Sequence, residues 1–396
     1  MAASTIGARI RELRGKVLTQ RQLADAAGVS IDVIRKLEQG SRQTAAIATL
    51  QKLAQALDVD IAALVSEPAA LAAAGPTSGV VAIRRALTPV DDLLGESLVE
   101  FDTLAVSDAR RTVDYAWGAY WGGKYDLLGS LLPTAISQLR ATAHAAAPHE
   151  RTVAYELLAR IYWAAGCTLV HLGHPDPAYQ AIRHALEASR QGNDELLDAT
   201  LRGSVAWQLL VQGRYDESLA LAIKTAESLE PHGDVGPAHL STYGSLILQG
   251  ATAAGRAQQS QEAHALVFSA GEVAARLGTD RRDYETYFGP SQVVMQTVDV
   301  NVVTEDYAAA IVAARAMPAG NGLPLASRAR HLADRALAHT RVGEPQKALD
   351  ALLTAERIGP DWIKYQSLPR RIVSELLDGD GRSALRGFAK RLNVHD

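Results

Sequence analysis

From Ile6 onward, apolar residues recur at helical rather than strand spacing: Ile6, Ile10, Leu13 and Val17, then Leu23, Ala24 and Ala27, then Val33, Ile34 and Leu37. Thr19 and Ser30 stand where helix N-caps belong, and Gly28 and Gly40 stand where helices end. The pattern therefore predicts three short helices, the second and third joined by a tight glycine turn. Two more amphipathic stretches, at 46–56 (Ile47, Leu50, Leu53, Ala54) and 61–65, complete a five-helix unit over residues 1–66. Pro68, Gly75, Pro76 and Gly79 then punctuate 67–79, which reads as a linker, and 80–104 reads as a connecting helical segment broken at Pro89.

Over 105–396 the helical rhythm repeats. Short turns centred on Gly123, Gly173, Gly213, Gly255 and Gly343, with a weaker equivalent at Glu305, each separate two amphipathic helices, at intervals of roughly 40–50 residues. A small residue precedes most turns by two helical turns (Ala116, Gly166, Ala206, Ala336), which lets paired helices approach closely; Leu248 and Val298 depart from this. An aromatic content of 5% beside 47% hydrophobic residues, many of them Ala and Leu, agrees with an all-α fold, because sheets favour β-branched and aromatic side chains. With 396 residues, two or three domains are expected.

Charge refines this division. The chain carries a net −4, yet residues 1–66 hold nine Lys/Arg against six Asp/Glu, so basic character is concentrated in the N-terminal unit. That is the footprint of a local nucleic-acid contact, not of a chain that coats a polyanion or a membrane along its length. The single cysteine, Cys167, excludes an intramolecular disulfide framework and suits a reducing compartment. No signal peptide and no membrane span is read, so a cytoplasmic protein is expected.

The run TQRQLADAAGVSIDVIRKLEQGSRQTAAIATLQKLAQALDVDIAALV resembles the Cro and lambda-repressor type of helix-turn-helix domain, the XRE family, through Gln20, Leu23, Ala24, Gly28, Val29, Ser30, Ile34, Leu37, Glu38 and Gly40. An α-helix fits the major groove and its N-terminal residues reach base edges, which makes the third helix the reader. The resemblance implies that Ile31, Asp32, Arg35 and Lys36 point outward, with Arg35 or Lys36 donating to guanine, Asp32 accepting from cytosine and Ile31 meeting a thymine methyl. Gln20, Arg21, Ser30 and Arg42 would contact phosphates.

The later repeats resemble tetratricopeptide repeats, most clearly in QGRYDESLALAIKTAE (Gly213, Tyr215, Ser218) and in Gly343, Ala348, Ala355 and Pro360. Such hairpins stack into an α-solenoid with a concave binding face. Carrying the pattern over places Trp117, Tyr120, Trp121, Arg160, Trp163, Cys167, His171, Trp207, Leu210, Gln249, Gln292, Met295, Asp299 and Arg330 on that face. This would be an aromatic groove with Arg160 and Arg330 available to an anionic group. The alternative is that the tryptophans only fill gaps between helices.

Cys167, His171 and His174 are spaced as a metal or nucleophile pair could be, but no third ligand or orienting acid accompanies them. No metal, no cofactor and no enzymatic motif is read: there is no phosphate loop, dinucleotide fingerprint or nucleophile elbow. Together the two parts resemble regulators that fuse a Cro-type domain to a tetratricopeptide sensor, including peptide-sensing quorum regulators. The resemblance implies a homodimeric transcription regulator that binds a pseudo-palindromic operator in double-stranded DNA and responds to a small molecule or short peptide. The other reading is a repeat scaffold that binds a protein partner constitutively, with DNA binding secondary.

Overall fold

Apolar spacing and capping produce the first helices: α1 (Ile6–Arg14), α2 (Gln20–Ala27), α3 (Ile31–Glu38) and α4 (Ile47–Ala56). The computed structural model describes residues 6–15, 18–40, 42, 45–57, 59, 64, 78–90, 94, 101–377 and 383–394. Ile10, Leu23, Ala27, Ile34, Leu37 and Leu53 close into one core. α1 lies so close to α3 that a Cβ on Gly7 would fall 1.7 Å from the Leu37 carbonyl oxygen, so no larger residue fits there without moving the helix. The fifth helix expected at 61–65 lies outside the described residues apart from Leu64, which is buried in this core. So do 67–77 of the expected linker and most of 91–100.

The chain divides into two compact units, one of Met1–Thr77 with Leu209–Arg214 and one of Ser78–Gln208 with Tyr215–Asp396. Ser78 and Gly79, expected to end the linker, instead open a helix, α5 (Ser78–Leu87), followed by α6 (Val106–Trp121) and α7 (Tyr125–Ala145). The reason is packing: α5 crosses α7 glycine to glycine, where a Cβ on Gly79 would sit 3.0 Å from Gly129 Cα. Helical hairpins then succeed one another: α8 (Arg151–His171) with α9 (Pro175–Ser189), α10 (Glu195–Val211) with α11 (Tyr215–Ser228), and α12 (Pro237–Arg256) with α13 (Ser260–Leu277). A short antiparallel pair follows, β1 (Arg281–Asp283) and β2 (Thr286–Phe288). Beyond it come α14 (Pro290–Val303) with α15 (Tyr307–Ala314), α16 (Leu325–Arg341) with α17 (Pro345–Ile358), and α18 (Pro360–Lys364), α19 (Ser367–Leu377) and α20 (Ser383–Arg391). The fold is all-α apart from that hairpin.

Left-handed residues turn the hairpins, Gly123 at φ 68°, Gly173 at 80° and Gly343 at 79°, a region open to glycine at little cost. Glu305 takes the same conformation at 67°. The expected turn at Gly255 is displaced: Gly255 lies inside α12, against Val303 of α14, and Gln258 at φ 64° makes the turn. Here tight helix contact, not backbone freedom, requires the glycine. Among the described residues, no helix is long and apolar enough to cross a membrane.

The β-hairpin was not foreseen. Asp283 pairs with Thr286, and the two residues between them, Tyr284 (φ 46°) and Glu285 (φ 58°), are both left-handed, as in a type I′ turn. That turn normally carries Asn-Gly, so the sequence gives no hairpin signal. The hairpin hangs on α12 through Phe288, whose ring lies where a side chain on Gly244 would be: a Cβ there would sit 2.0 Å from Phe288 Cζ. Asp280 anchors its base, accepting from the Ser291 N–H (2.9 Å) and the Gly322 N–H (2.8 Å). Gly244→Ala is therefore expected to unseat Phe288 and cost about 1–3 kcal/mol of stability, as overpacking does. Chemical denaturation of the purified chain checks this, and an unchanged midpoint would show that the hairpin does not depend on that seat.

Candidate functional site

Two places gather chemistry, one in each unit. In the first, Thr19 caps α2 through a reciprocal pair: its hydroxyl accepts from the Gln22 N–H at 3.2 Å and its N–H donates to Gln22 Oε1 at 2.8 Å. Gly28, left-handed at φ 60°, ends α2, and Ser30 caps α3 by accepting from the Asp32 N–H at 3.3 Å. With Ile34 and Leu37 buried, helical geometry leaves Asp32, Arg35 and Lys36 facing solvent. Arg35 approaches Asp32 only to 3.8 Å, a loose surface pair. Arg21, Ser30 and Arg42 are exposed as well.

Two of the expected DNA contacts are placed otherwise. Ile31 is half-buried and packs against the helical core, so its side chain is not presented outward. The Gln20 amide donates to Glu38 Oε2 at 2.7 Å, which commits it to the fold. That carboxylate also takes two hydrogen bonds from Arg14, at 2.8 and 3.2 Å, and so ties α1, α2 and α3 together. Burial works to raise the Glu38 carboxyl, and the hydrogen bonds from Arg14 and Gln20 outweigh it, leaving it below the ordinary carboxylate range.

In the helical unit a cavity of about 300 Å³ opens between hairpins. α6 supplies Trp117, Tyr120 and Trp121, α8 supplies Trp163 and Cys167, and α10 supplies Thr200, Gly203, Ser204 and Trp207. α12 adds Ser245, Leu246, Leu248, Gln249 and Thr252, the β-hairpin adds Glu285, Thr286 and Tyr287, and Gln292, Gln296 and Ser327 complete the wall. Four of the five tryptophans thus reach one cavity, Trp362 being the exception. Edge-to-face contacts bind them together: Trp117 to Trp163 at 4.6 Å between centroids, Trp117 to Tyr120 at 5.3 Å, and Trp121 to Tyr287 at 5.0 Å. Trp117 and Trp163 are also core residues, almost wholly buried, with their indole N–H groups donating to the Arg160 carbonyl and the Ser204 hydroxyl. Lining a cavity and filling a core are here the same task.

Four expected ligand contacts do not reach the cavity wall. Arg160 is paired with Glu285 and lies 3.5 Å from Asp114. Arg330 donates to Asp299 at 3.0 Å and to both Asp334 oxygens at 3.1 Å, while Arg256 grips Asp299 from its other side. Neither arginine stands free for an anion, because each is already neutralised by a carboxylate. His171 is half-buried, stacked on Tyr125 at 4.8 Å and hydrogen-bonded to the Tyr120 hydroxyl at 3.2 Å. Met295, half-buried on α14, is not part of the wall. Asp299 instead accepts from Gln296 at 2.9 Å, linking the cavity wall to the buried charges.

Sequence reasoning passed over the hairpin residues, the hydroxyl-bearing small residues and Gln296. The last lies one turn before Asp299, and a buried acid with two arginines is the one signal that could have found it. Burial pushes the Cys167 thiol up to about 12, so it is not a ready nucleophile. Four buried polar atoms on the wall lack any hydrogen-bond partner: Trp121 Nε1, Gln249 Nε2, Gln292 Oε1 and Glu285 Oε2. A buried polar group left unpaired costs roughly 1–3 kcal/mol, so a cavity rimmed by such atoms is shaped to receive a polar-edged occupant or water.

Comparison with known proteins places the first unit. A helix-turn-helix family model matches residues 10–64, and that segment is an XRE-type helix-turn-helix domain. No curated protein sequence matches the chain. Among solved structures, PlcR of Bacillus thuringiensis in complex with the peptide PapR7 and DNA is similar over 92% of this chain and 99% of its own, at 13% identity and a TM-score of 0.38.

The half-buried His171 imidazole gives a pH dependence. Burial, with Arg330 adding repulsion, lowers His171 from 6.5 to about 4. The unfolded chain then binds the proton the folded one refuses, so this group's contribution is complete above about 6.5 and is lost as pH falls toward 4. Between pH 7 and pH 5 His171 is expected to remove about 2 kcal/mol. Asp334, pushed up by burial, acts in the opposite sense, so the effect is read as the difference between wild type and His171→Asn in denaturant unfolding at both pH values. Equal pH slopes in the two proteins would contradict it.

Proposed function

We propose that the chain is a sequence-specific DNA-binding transcription regulator whose helical unit takes a small effector in its tryptophan-lined cavity. The observation that carries this reading is the capped, outward-facing α3 of a matched helix-turn-helix domain, its Asp32, Arg35 and Lys36 exposed while its other face is buried. A helix of that kind fits the major groove, and residues on its outer face meet base edges and phosphates. Arg35 and Lys36 are the readers, Asp32 the acceptor beside them, and Ser30, Arg21 and Arg42 grip the backbone. One small domain covers few base pairs, so the regulator acts as a homodimer on a pseudo-palindromic site with half-sites about one helical turn apart.

The cavity supports the sensor reading over a constitutive scaffold. A half-open cavity of about 300 Å³ lined by aromatic side chains suits a small molecule, and its unpartnered polar atoms call for a specific ligand. Effector binding shifts the population of conformations competent for DNA, which is the coupling an effector-controlled regulator requires.

Recovering and sequencing the genomic fragments retained by the purified protein identifies the operator. Replacing Arg35 and Lys36 by Ala is expected to weaken binding to that fragment at least about tenfold in a gel shift at fixed salt, with the far-ultraviolet circular dichroism spectrum unchanged. Wild-type affinity in the double variant would refute α3 as the reading helix.

A further inference from the structure

We infer that the effector is a flat aromatic amine bearing a positive charge, bound with its ring among the tryptophans and its amino group against Glu285. This rests on the reading of the cavity as the effector site and adds the chemical class. Aromatic faces carry negative potential and attract cations, most strongly where water is excluded. Trp121, Trp207 and Tyr287 line the cavity together with Trp117 and Trp163, which are also core residues.

Charge decides the sign of the ligand. Glu285 is 3% exposed and sits on the cavity wall; one of its oxygens is paired with Arg160, and the other, Oε2, has no partner. Arg160 is shared between Glu285 and Asp114, so that cluster of three carries one excess negative charge, and Arg160 itself does not line the cavity. Arg256 and Arg330 are matched by Asp299 and Asp334 and offset nothing. Among the described residues no cationic side chain lines the cavity, so an anionic ligand would meet neutral donors such as Trp121 and Gln249 and would face Glu285. A cationic amine satisfies the orphaned acceptors instead: its N–H groups reach Glu285 Oε2 and Gln292 Oε1, and a ring substituent that accepts takes the two donors.

The turn supports the assignment. Glu285 occupies a left-handed position, φ 58°, that disfavours most side chains, so a glutamate is held at the cavity wall against backbone preference. Strain at a ligand-facing position is a recurring mark of function.

Three compounds on one three-ring frame provide the test: 9-aminoacridine, cationic at pH 8; acridine, neutral there; and acridine-9-carboxylate, anionic. Isothermal titration into the full chain at pH 8 is expected to rank them in that order, the cation at least about tenfold tighter than the neutral compound. Glu285→Gln is expected to remove most of the cation's advantage while changing acridine affinity less than about threefold, a selectivity readout that a merely structural role for Glu285 would not move. The wild-type ranking needs no variant and decides by itself if Glu285→Gln does not fold. Equal affinities, or a preference for the carboxylate, would overturn the charge assignment and leave the cavity as an effector site. Binding of none of the three would overturn the aromatic-amine class, while the gel shift separately decides the DNA-binding reading.

Discussion

The contact between the Phe288 ring and the bare backbone of Gly244 seats the β-hairpin that completes the cavity wall. It holds a two-stranded hairpin, inserted between otherwise regular helical pairs, against α12. Burying a phenyl ring contributes about 1.5–3 kcal/mol, but the larger consequence is positional. From that seat the strands carry Glu285 and Tyr287 to the cavity, where one meets Arg160 of α8 and the other Trp121 of α6. Without it the tryptophans of three helices would line an open groove.

Glu38 plays the corresponding part in the helix-turn-helix unit. Three hydrogen bonds from Arg14 and Gln20 converge on a single carboxylate and fix the relation of α1, α2 and α3. A buried ion pair is weak evidence of stability, because desolvation offsets the Coulomb gain, yet removing one partner alone leaves a charge stranded. Its service is geometric: it presents the outer face of α3 at one angle, and it does so with side chains that face inward.

How much of this was legible follows from the range of each interaction. Caps, glycine stops and apolar spacing are local, so the first helices and the exposure of Asp32, Arg35 and Lys36 could be read directly. The convergence of Trp117, Trp121, Trp163 and Trp207 was readable because repeat phase fixes which face of a helix turns inward. Arg160, His171 and Arg330 were misplaced because their partners Glu285, Tyr125, Asp299 and Asp334 come from other elements, and a neutralised arginine looks the same in sequence as a free one. The hydrogen bond from Gln20 to Glu38 was hidden for the same reason, its acceptor standing eighteen residues away. The hairpin escaped because Tyr and Glu stand where the turn would announce itself with Asn-Gly.

Those two turn residues carry a consequence for how the protein can evolve. Each is fastened to a different helix, Tyr284 to Asp194 ahead of α10 and Glu285 to Arg160. A mutation toward Asn-Gly at 284–285 would relax the backbone, yet it would erase both fastenings and leave Arg160 without its buried carboxylate partner. Backbone preference and side-chain contacts therefore pull this dipeptide in opposite directions, and the turn as it stands keeps the contacts at the expense of local ease.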